Sequence, residues 1–338
     1  MYLTNKAPMC VPTYNVVTRK KEDYPKKCTL NTKKKAVMKN ILLILALSTS
    51  LIAGQAKDFD FNVTAATEYT AEKPLTDEEL RNRVLYTNLI GAAVVTAWGV
   101  AFWDYFTTDP VMADEGWFGD DTKYGGSDKL GHVYSTYLWS LGFASLYEYW
   151  GMDEEESIIY GPLSAWFFQG IMEMGDSFSD TQGFSYEDII MNTVGAGFYY
   201  VREKYPSVKE KLDLRLEYIP DLNGEDVFTQ YNSMKYLLAL KFSGFESMES
   251  NFLRYGELHL GYYSRGYHNY YDYEQKERVV YVGIGINVSE VLASMGWLKT
   301  SKVFNYYQLP YTYVPFGYDF DSHSYVAPYS RPYRGYTK

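Results

Sequence analysis

Cysteine is nearly absent from this chain of 338 residues, and its two cysteines, Cys10 and Cys28, both lie near the N-terminus. Residues 57–338 contain none. That part of the chain therefore cannot form an internal disulfide, use a thiol nucleophile or bind zinc through cysteine. A cysteine-free body fits an oxidising compartment such as the cell envelope.

Positive charge is also scarce outside the first residues. Residues 1–39 hold ten Lys or Arg and two acids. Residues 40–338 hold the other 22 Lys or Arg and the other 40 acids, so their formal charge is −18. A body this acidic repels phosphate backbones, which argues against nucleic acid as a partner. Aromatic residues make up 18% of the chain, and this abundance favours β structure or a membrane-facing surface.

Charge is absent altogether from residues 40–56, which follow a basic start. An apolar run at 41–52 and small residues at 54 and 56 complete the signature of a secretory signal peptide cleaved before Lys57. The run is shorter than the about 20 residues of a transmembrane helix, although an uncleaved anchor is the alternative. We interpret residues 1–37 as a basic leader outside the mature protein. No cysteine follows the run, so lipid attachment through an N-terminal cysteine is excluded.

Four apolar segments after residue 75 have the length and the end signals of helices. The apolar part of the first is long enough to cross a bilayer, with a fully buried helix of a soluble bundle as the alternative. Periodicity does not distinguish membrane spans from a bundle resting on a membrane. The first predicted helix begins after Thr76 and has its apolar part at Val84–Tyr105. The second runs from its cap Asp128 to about Trp150, the third from about Ser157 to Met174, and the fourth from its cap Ser185 to Tyr205.

The C-terminal third alternates apolar and polar residues, as half-buried strands do. This pattern predicts strands at 212–218, 235–242, 256–263 and 278–287, an extended segment at 306–318, a short helix from Glu290 to Trp297 capped by Ser289, and turns at Asn223-Gly224 and His268–Gln275. Four or five strands are too few for a closed membrane barrel, which needs about eight. The predicted fold class is α+β, an apolar four-helix bundle followed by a small antiparallel, tyrosine-rich β region.

The predicted organisation divides the chain into six parts. These are a leader at 1–37, a signal peptide at 38–56, a loose linker at 57–75, a helical domain at 76–206, a β-rich region at 207–318 and a tail at 319–338.

Polar side chains at helical spacing stand out within the second, third and fourth helices. They are Asp128, Lys129 and His132, then Glu173 and Asp176, then Asp188 and Asn192. Ionised groups in apolar surroundings are costly unless they are paired, so we expect the three polar faces to meet. Such a cluster has three uses, which the sequence leaves open: binding a divalent metal, acid–base catalysis by His132, or fixing the helix packing.

The segments that carry these residues resemble a known family. D-K-L-G-H at 128–132, E-M-G-D at 173–176 and G-F-S-Y-E-D-I-I-M-N at 183–192 are similar to the YfiM-like family of uncharacterised predicted periplasmic lipoproteins, and more distantly to VanZ-like membrane proteins. The resemblance covers about residues 128–205. It implies an envelope location and a helical core, and no activity. The chain departs from the pattern by lacking the lipoprotein cysteine, so membrane attachment would fall to the helices or the C-terminal region.

These observations predict an exported, membrane-associated envelope protein with a binding or structural role. Its expected partner is membrane lipid or another envelope component, and its oligomeric state is left open. The alternative is a metal-dependent hydrolase or transferase acting on lipid or cell-wall material. The candidate catalytic or metal-binding residues are His132, Glu173, Asp176 and Asp188, with Asp128, Lys129 and Asn192 as further binding residues. A transporter component is a third class, which requires all four helices to span.

Overall fold

The computed structural model describes residues 75–220, 229–267 and 275–330, all within the compact unit Asp58–Lys338. The predicted leader, the signal peptide and the linker up to residue 74 lie outside the described residues. So do the predicted turn at Asn223-Gly224 and all of the turn at His268–Gln275 except its last residue.

Four long helices open the described chain: α1 (Asp77–Phe102), α2 (Ser127–Tyr149), α3 (Glu154–Asp176) and α4 (Tyr186–Lys204). Thr76 and Ser185 cap α1 and α4 as predicted, because their side chains accept hydrogen bonds from backbone N–H groups three residues on. Two predicted starts are wrong. Asp128 lies inside α2, after a left-handed Gly126. Asp153 caps α3, so that the helix begins at Glu154, three residues before the predicted start.

Helices α2, α3 and α4 pack on one another, whereas α1 contacts α3. The expected four-helix bundle is therefore three mutually packed helices with α1 added at one side. Glycines permit the close approach. A Cβ atom on Gly161 of α3 would lie 2.8 Å from the Ser140 carbonyl oxygen, and one on Gly195 of α4 would lie 2.3 Å from the Val133 carbonyl oxygen, both on α2.

Helix α1 differs from the others in its exposure. Among the helices of the described ranges it alone is long and apolar enough to cross a membrane, and only 17% of its apolar window is buried. The alternative of a fully buried helix is therefore wrong for α1. One candidate span also falls short of the four spanning helices that a transporter component requires.

The C-terminal part forms one antiparallel sheet in chain order. Its strands are β1 (Leu212–Tyr218), β2 (Met234–Lys241), β3 (Gly256–Arg265), β4 (Glu277–Ile286), β5 (Tyr313–Asp319) and β6 (Ser324–Val326). The predicted α+β class and the antiparallel sheet are confirmed, and β6 lies in the segment predicted as a tail. Four short helices complete the eight of the described residues: α5 (Pro206–Lys211), α6 (Glu246–Glu249), α7 (Val288–Ser294) and α8 (Leu298–Val303). Helix α7 is capped by Asn287 instead of Ser289, and α8 lies just before the extended segment predicted at 306–318, of which only the C-terminal part is strand.

The sheet curves so that its first strand meets the segment before its fifth. The Leu216 N–H donates to the Tyr306 carbonyl oxygen, and the Gln308 N–H donates to the Leu216 carbonyl oxygen, both at 3.0 Å. On its other side the sheet packs on α2, where Tyr134 and Tyr236 belong to one buried cluster. Strand β3 also holds the start of α2, because the Ser264 N–H donates to Ser127 Oγ at 2.9 Å. The sheet therefore helps to position the polar end of α2.

Candidate functional site

The start of α2, the end of α3 and the start of α4 meet at one point inside the helical domain. The polar residues predicted from the sequence lie there together, because their spacing of three or four residues keeps them on one face of each helix. Asp128, Lys129, Glu173, Asp188 and Asn192 are buried, while 23% of the His132 side chain remains exposed. The site is therefore an interior cluster with one opening beside the imidazole.

Lys129 is the ammonium group of the cluster and is shared by three carboxylates. Its Nζ lies 2.8 Å from Asp188 Oδ1 and 3.1 Å from Asp128 Oδ2, and it also donates to Glu115. Burial acts to lower the pKa of Lys129, but Asp128 and Asp188 outweigh it, and the pKa is raised above its usual value. Burial acts to raise the pKa of Glu115, but Lys129 lowers it overall. Lys129 is therefore a fixed positive charge.

The acid Glu115 comes from the loop between α1 and α2, and sequence reasoning missed it. Two backbone hydrogen bonds hold this loop against the start of α4: Ala113 N–H to the Phe184 carbonyl oxygen at 2.8 Å, and Phe184 N–H to the Val111 carbonyl oxygen at 2.9 Å. The loop sequence carries no periodicity that would have indicated this contact.

His132 is oriented by an amide. Its Nδ1 lies 3.2 Å from Asn192 Oδ1, an acceptor that also receives the Thr136 hydroxyl at 2.8 Å and the Gln169 amide at 3.3 Å. In the tautomer whose Nδ1–H donates to this oxygen, Nε2 carries a lone pair. The direct hydrogen-bond partner of His132 is therefore the Asn192 amide, and the nearer carboxylate oxygen, Asp188 Oδ2, lies 3.5 Å from Nε2.

The Nε2 atom of His132 faces two carboxylates without a close hydrogen bond to either. It lies 3.5 Å from Asp188 Oδ2 and 4.0 Å from Glu173 Oε1. Ligands about 2.1 Å from a tetrahedral metal ion lie about 3.4 Å from one another. The three atoms are therefore spaced as ligands around an ion would be, and they all lie within 4.8 Å of one another.

Glu173, near the end of α3, lacks a cation. In the described part of the chain it has no Lys or Arg ion pair, and it faces the Ser185 N–H at 3.4 Å and His132 Nε2 at 4.0 Å. Burial, with Asp188 and Asp176 nearby, raises the pKa of Glu173 to about 9. Burial also raises the pKa of Asp176 to about 7, against an opposing hydrogen bond from Tyr105. Burial raises the pKa of Asp188 as well, although His132 and Lys129 oppose it.

A second group of possible ligands lies beside the first: Glu115, Asp128 and Asp188. Lys129 already supplies a cation to this group, since its Nζ contacts all three carboxylates. Asp188 belongs to both groups, and its two oxygens face Lys129 and His132 respectively. Glu173 is therefore the carboxylate of the two groups that Lys129 does not contact.

Two further residues of the site had a signal in the sequence that was not used. Thr136 continues the spacing of Asp128 and His132 by one turn, and Gln169 precedes Glu173 by one turn. Both are buried and both contact Asn192 Oδ1. A polar stripe extended one turn along each helix would have found them.

Residues 114–204 match the family described as predicted periplasmic lipoprotein (DUF2279). The chain is an exported, envelope-associated protein, as the sequence predicted. The match contains Glu115 and all of α2, α3 and α4, and it ends at the last residue of α4. It supports neither the YfiM-like nor the VanZ-like resemblance specifically. Comparisons with curated proteins and with solved structures gave no match. The whole candidate site except Tyr105 thus lies within the matched residues, and the sheet lies outside them.

Proposed function

We propose that this envelope protein binds a divalent transition-metal ion through His132 Nε2 and the carboxylates of Glu173 and Asp188. The observation that carries the proposal is the approach of one imidazole nitrogen and two carboxylates, at 3.5 and 4.0 Å, in a buried space. Such groups repel one another unless a proton or a cation lies between them. Burial, together with Asp188 and Asp176, raises the pKa of Glu173, as expected for a buried carboxylate with no cation beside it.

The surroundings of the imidazole favour a metal ligand over a structural histidine. Histidines that bind metals usually donate their other ring N–H to an oxygen that fixes the ring, and Asn192 Oδ1 supplies this acceptor. Thr136 and Gln169 in turn hold the amide. One imidazole with two carboxylates suits zinc or manganese better than calcium or magnesium, which prefer oxygen ligands alone.

The test is metal binding by the purified full chain, with Cys10 and Cys28 replaced by Ser so that no thiol competes. After treatment with a chelator, isothermal titration should give one zinc or manganese ion per chain. His132→Ala should abolish that binding, and Glu173→Gln should weaken it. His323→Asn is the matched control, since His323 is exposed in a turn with φ 51° that Asn tolerates. Binding that survives in His132→Ala, or no stoichiometric binding at all, would contradict the proposal.

One observation favours hydrolysis of lipid or cell-wall material as a second candidate function. Three protein ligands leave a coordination position for water, and His132 is reachable from solvent. Asp176 lies in the same cluster with a pKa of about 7, which suits a general base near neutral pH. Zinc-loaded protein should then hydrolyse model phosphate or acyl esters, and Asp176→Asn should lose turnover with unchanged metal content. Absence of turnover with bound metal would leave the binding role alone.

A further inference from the structure

In strands β3, β4 and β5 a row of apolar side chains lies on the exposed face of the sheet, which is the reverse of the arrangement in a soluble sheet. The concave side of the sheet is buried and holds charged groups beside an aromatic cluster: Glu257 and His259 on β3 are 0% and 2% exposed, and Tyr281 and Tyr313 lie on the same face. The convex side is apolar and exposed by 40% to 67%, and we call it the outer sheet face: Leu258, Leu260, Val282, Ile284, Val314 and Phe316. Soluble antiparallel sheets put the apolar face on the core and the polar face in water.

The outer sheet face is continuous across three strands. Leu260 pairs with Val282 and Val282 with Phe316 in one row, while Leu258, Ile284 and Val314 form the next row. Outward positions from Val280 to Ile286 and from Val314 to Tyr318 include no charged residue. The nearest outward charge on β4, Arg278, lies at the strand end and binds Asp321. Exposed apolar patches of this kind mark an interaction surface.

Beneath the middle of this face the backbone has its hydrogen bonds within the sheet, since β3 and β4 are paired on both sides, whereas β5 pairs with β6 only at 317–319. Hydrocarbon requires this, because no water is available there to bond exposed N–H and C=O groups. The apolar positions of β4 from Val280 to Ile286 span about 20 Å along the strand. With the strand tilted by about 45°, this is about 14 Å, the thickness of one leaflet of hydrocarbon.

We propose that the outer sheet face lies against the hydrocarbon of a lipid bilayer. A second protein surface would cover one apolar face, but the described chain has two on separate elements. Helix α1 is the other: it packs on α3 and beside Tyr147 at the end of α2, whereas the sheet packs on α2 through β1 and β2 around Tyr134. Leu85, Leu89 and Ile90 of α1 are 53% to 63% exposed. A bilayer accommodates both surfaces at once, and the proposal is independent of the metal site.

The test uses single cysteines, which the chain suits because residues 57–338 have none. In a full chain with Cys10 and Cys28 replaced by Ser, Ile284→Cys is labelled with a polarity-sensitive fluorophore. The protein is reconstituted in vesicles of phosphatidylethanolamine and phosphatidylglycerol that contain a lipid with a nitroxide on its acyl chain. Label at position 284 should lose fluorescence to the nitroxide lipid and be insensitive to aqueous iodide. Glu155→Cys, whose parent side chain is 86% exposed, is the control and should respond only to iodide.

Three other results would each overturn the proposal. Quenching of the label at position 284 by iodide would mean that the face is in water. Disulfide cross-linking between copies of Ile284→Cys, without lipid quenching, would mean that a second chain covers it. Protection from both quenchers in a monomer would mean that other residues of the same chain cover it.

A charge substitution gives an independent measurement. Ile284→Lys should lower the ratio of vesicle-bound to free protein by about tenfold, because a lysine in hydrocarbon is costly. Ser207→Lys adds the same charge at an exposed position of α5 and should leave the ratio unchanged. Equal ratios for the two variants, with both folded by near-ultraviolet circular dichroism, would contradict lipid contact at position 284.

Discussion

The protein buries two clusters of charged side chains, and they differ in their balance. Inside the sheet three buried carboxylates each have a basic partner within 3.3 Å: Asp213 with Arg202, Arg215 and Lys241, Glu217 with Lys235, and Glu257 with Arg215. In the helical domain one ammonium group, that of Lys129, contacts three carboxylates, those of Glu115, Asp128 and Asp188, while Glu173 and Asp176 beside them have no Lys or Arg ion pair among the described residues. The sheet interior is a set of matched ion pairs, and the helical cluster has a surplus of negative charge.

This difference separates a structural network from a binding site. Buried ions that neutralise one another fix the packing of the elements that carry them. Arg202 ties α4 to β1 in this way, and Arg215 ties β1 to β3. Buried acids without a counter-charge must instead hold protons or attract a cation. Burial of charge alone therefore does not indicate a site, whereas an imbalance of buried charge does.

The largest expected effect comes from breaking the matched network. Arg215→Ala leaves Asp213 and Glu257 buried without their shared guanidinium, and we expect it to lower the free energy of unfolding by about 3–5 kcal/mol. Arg254→Ala is the matched control, because Arg254 pairs with Glu290 at the surface and should cost less than about 1 kcal/mol. Urea denaturation of both variants measures this, and equal costs would contradict a structural role for the sheet interior.

The helical cluster, with its surplus of negative charge, should make the metal-free protein less stable as the pH rises. Glu173 has a folded pKa of about 9, above that of an unfolded chain, so its protonated form favours the folded state. Without metal, the stability due to this proton is complete below about pH 4.5 and is lost as the pH rises towards 9. We expect metal-free Glu173→Gln to exceed the parent chain in stability at pH 9 by on the order of 3 kcal/mol.

The same substitution inside the sheet is the control for this prediction. Glu257→Gln removes a charge that Arg215 already neutralises, so it should destabilise the fold. Thermal unfolding of both variants from pH 5 to 9, with and without zinc, separates the two clusters. A parent chain whose metal-free stability does not fall over this range would contradict the surplus of charge in the helices.

Sequence reasoning found the polar stripes because helical spacing determines which side chains share a face. It also predicted the caps at Thr76 and Ser185 for a local reason, the backbone N–H groups that follow them. Glu115 escaped because a distant backbone contact positions its loop. The orientation of the sheet escaped as well. Alternation such as that of β1 says that a strand has two faces, but it does not say whether the charged face points inward.

The close packing of α4 on α2 should affect both the stability of the fold and metal binding. Gly195→Ala would bring a Cβ atom to 2.3 Å from the Val133 carbonyl oxygen, which forces α4 away from the helix that carries His132. We expect a loss of about 2 kcal/mol in stability and weaker metal binding in the same variant. Gly197→Ala, two residues along α4 in open space, should be neutral or stabilising by up to about 1 kcal/mol. Equal effects of the two variants would show that the helix spacing does not matter.

The smallest expected effect tests whether Asn192 positions the imidazole. Thr136→Val keeps the shape of the side chain but removes the hydroxyl that donates to Asn192 Oδ1 at 2.8 Å. A residue of this kind acts on a metal through the ligand that it orients, so zinc affinity should fall by about tenfold while stability changes by less than about 1.5 kcal/mol. Thr87→Val removes a hydroxyl that bonds within α1 and should leave the affinity unchanged. If the affinity of Thr136→Val equals that of the parent chain, His132 does not depend on this amide, and the ordered imidazole must come from the carboxylates alone.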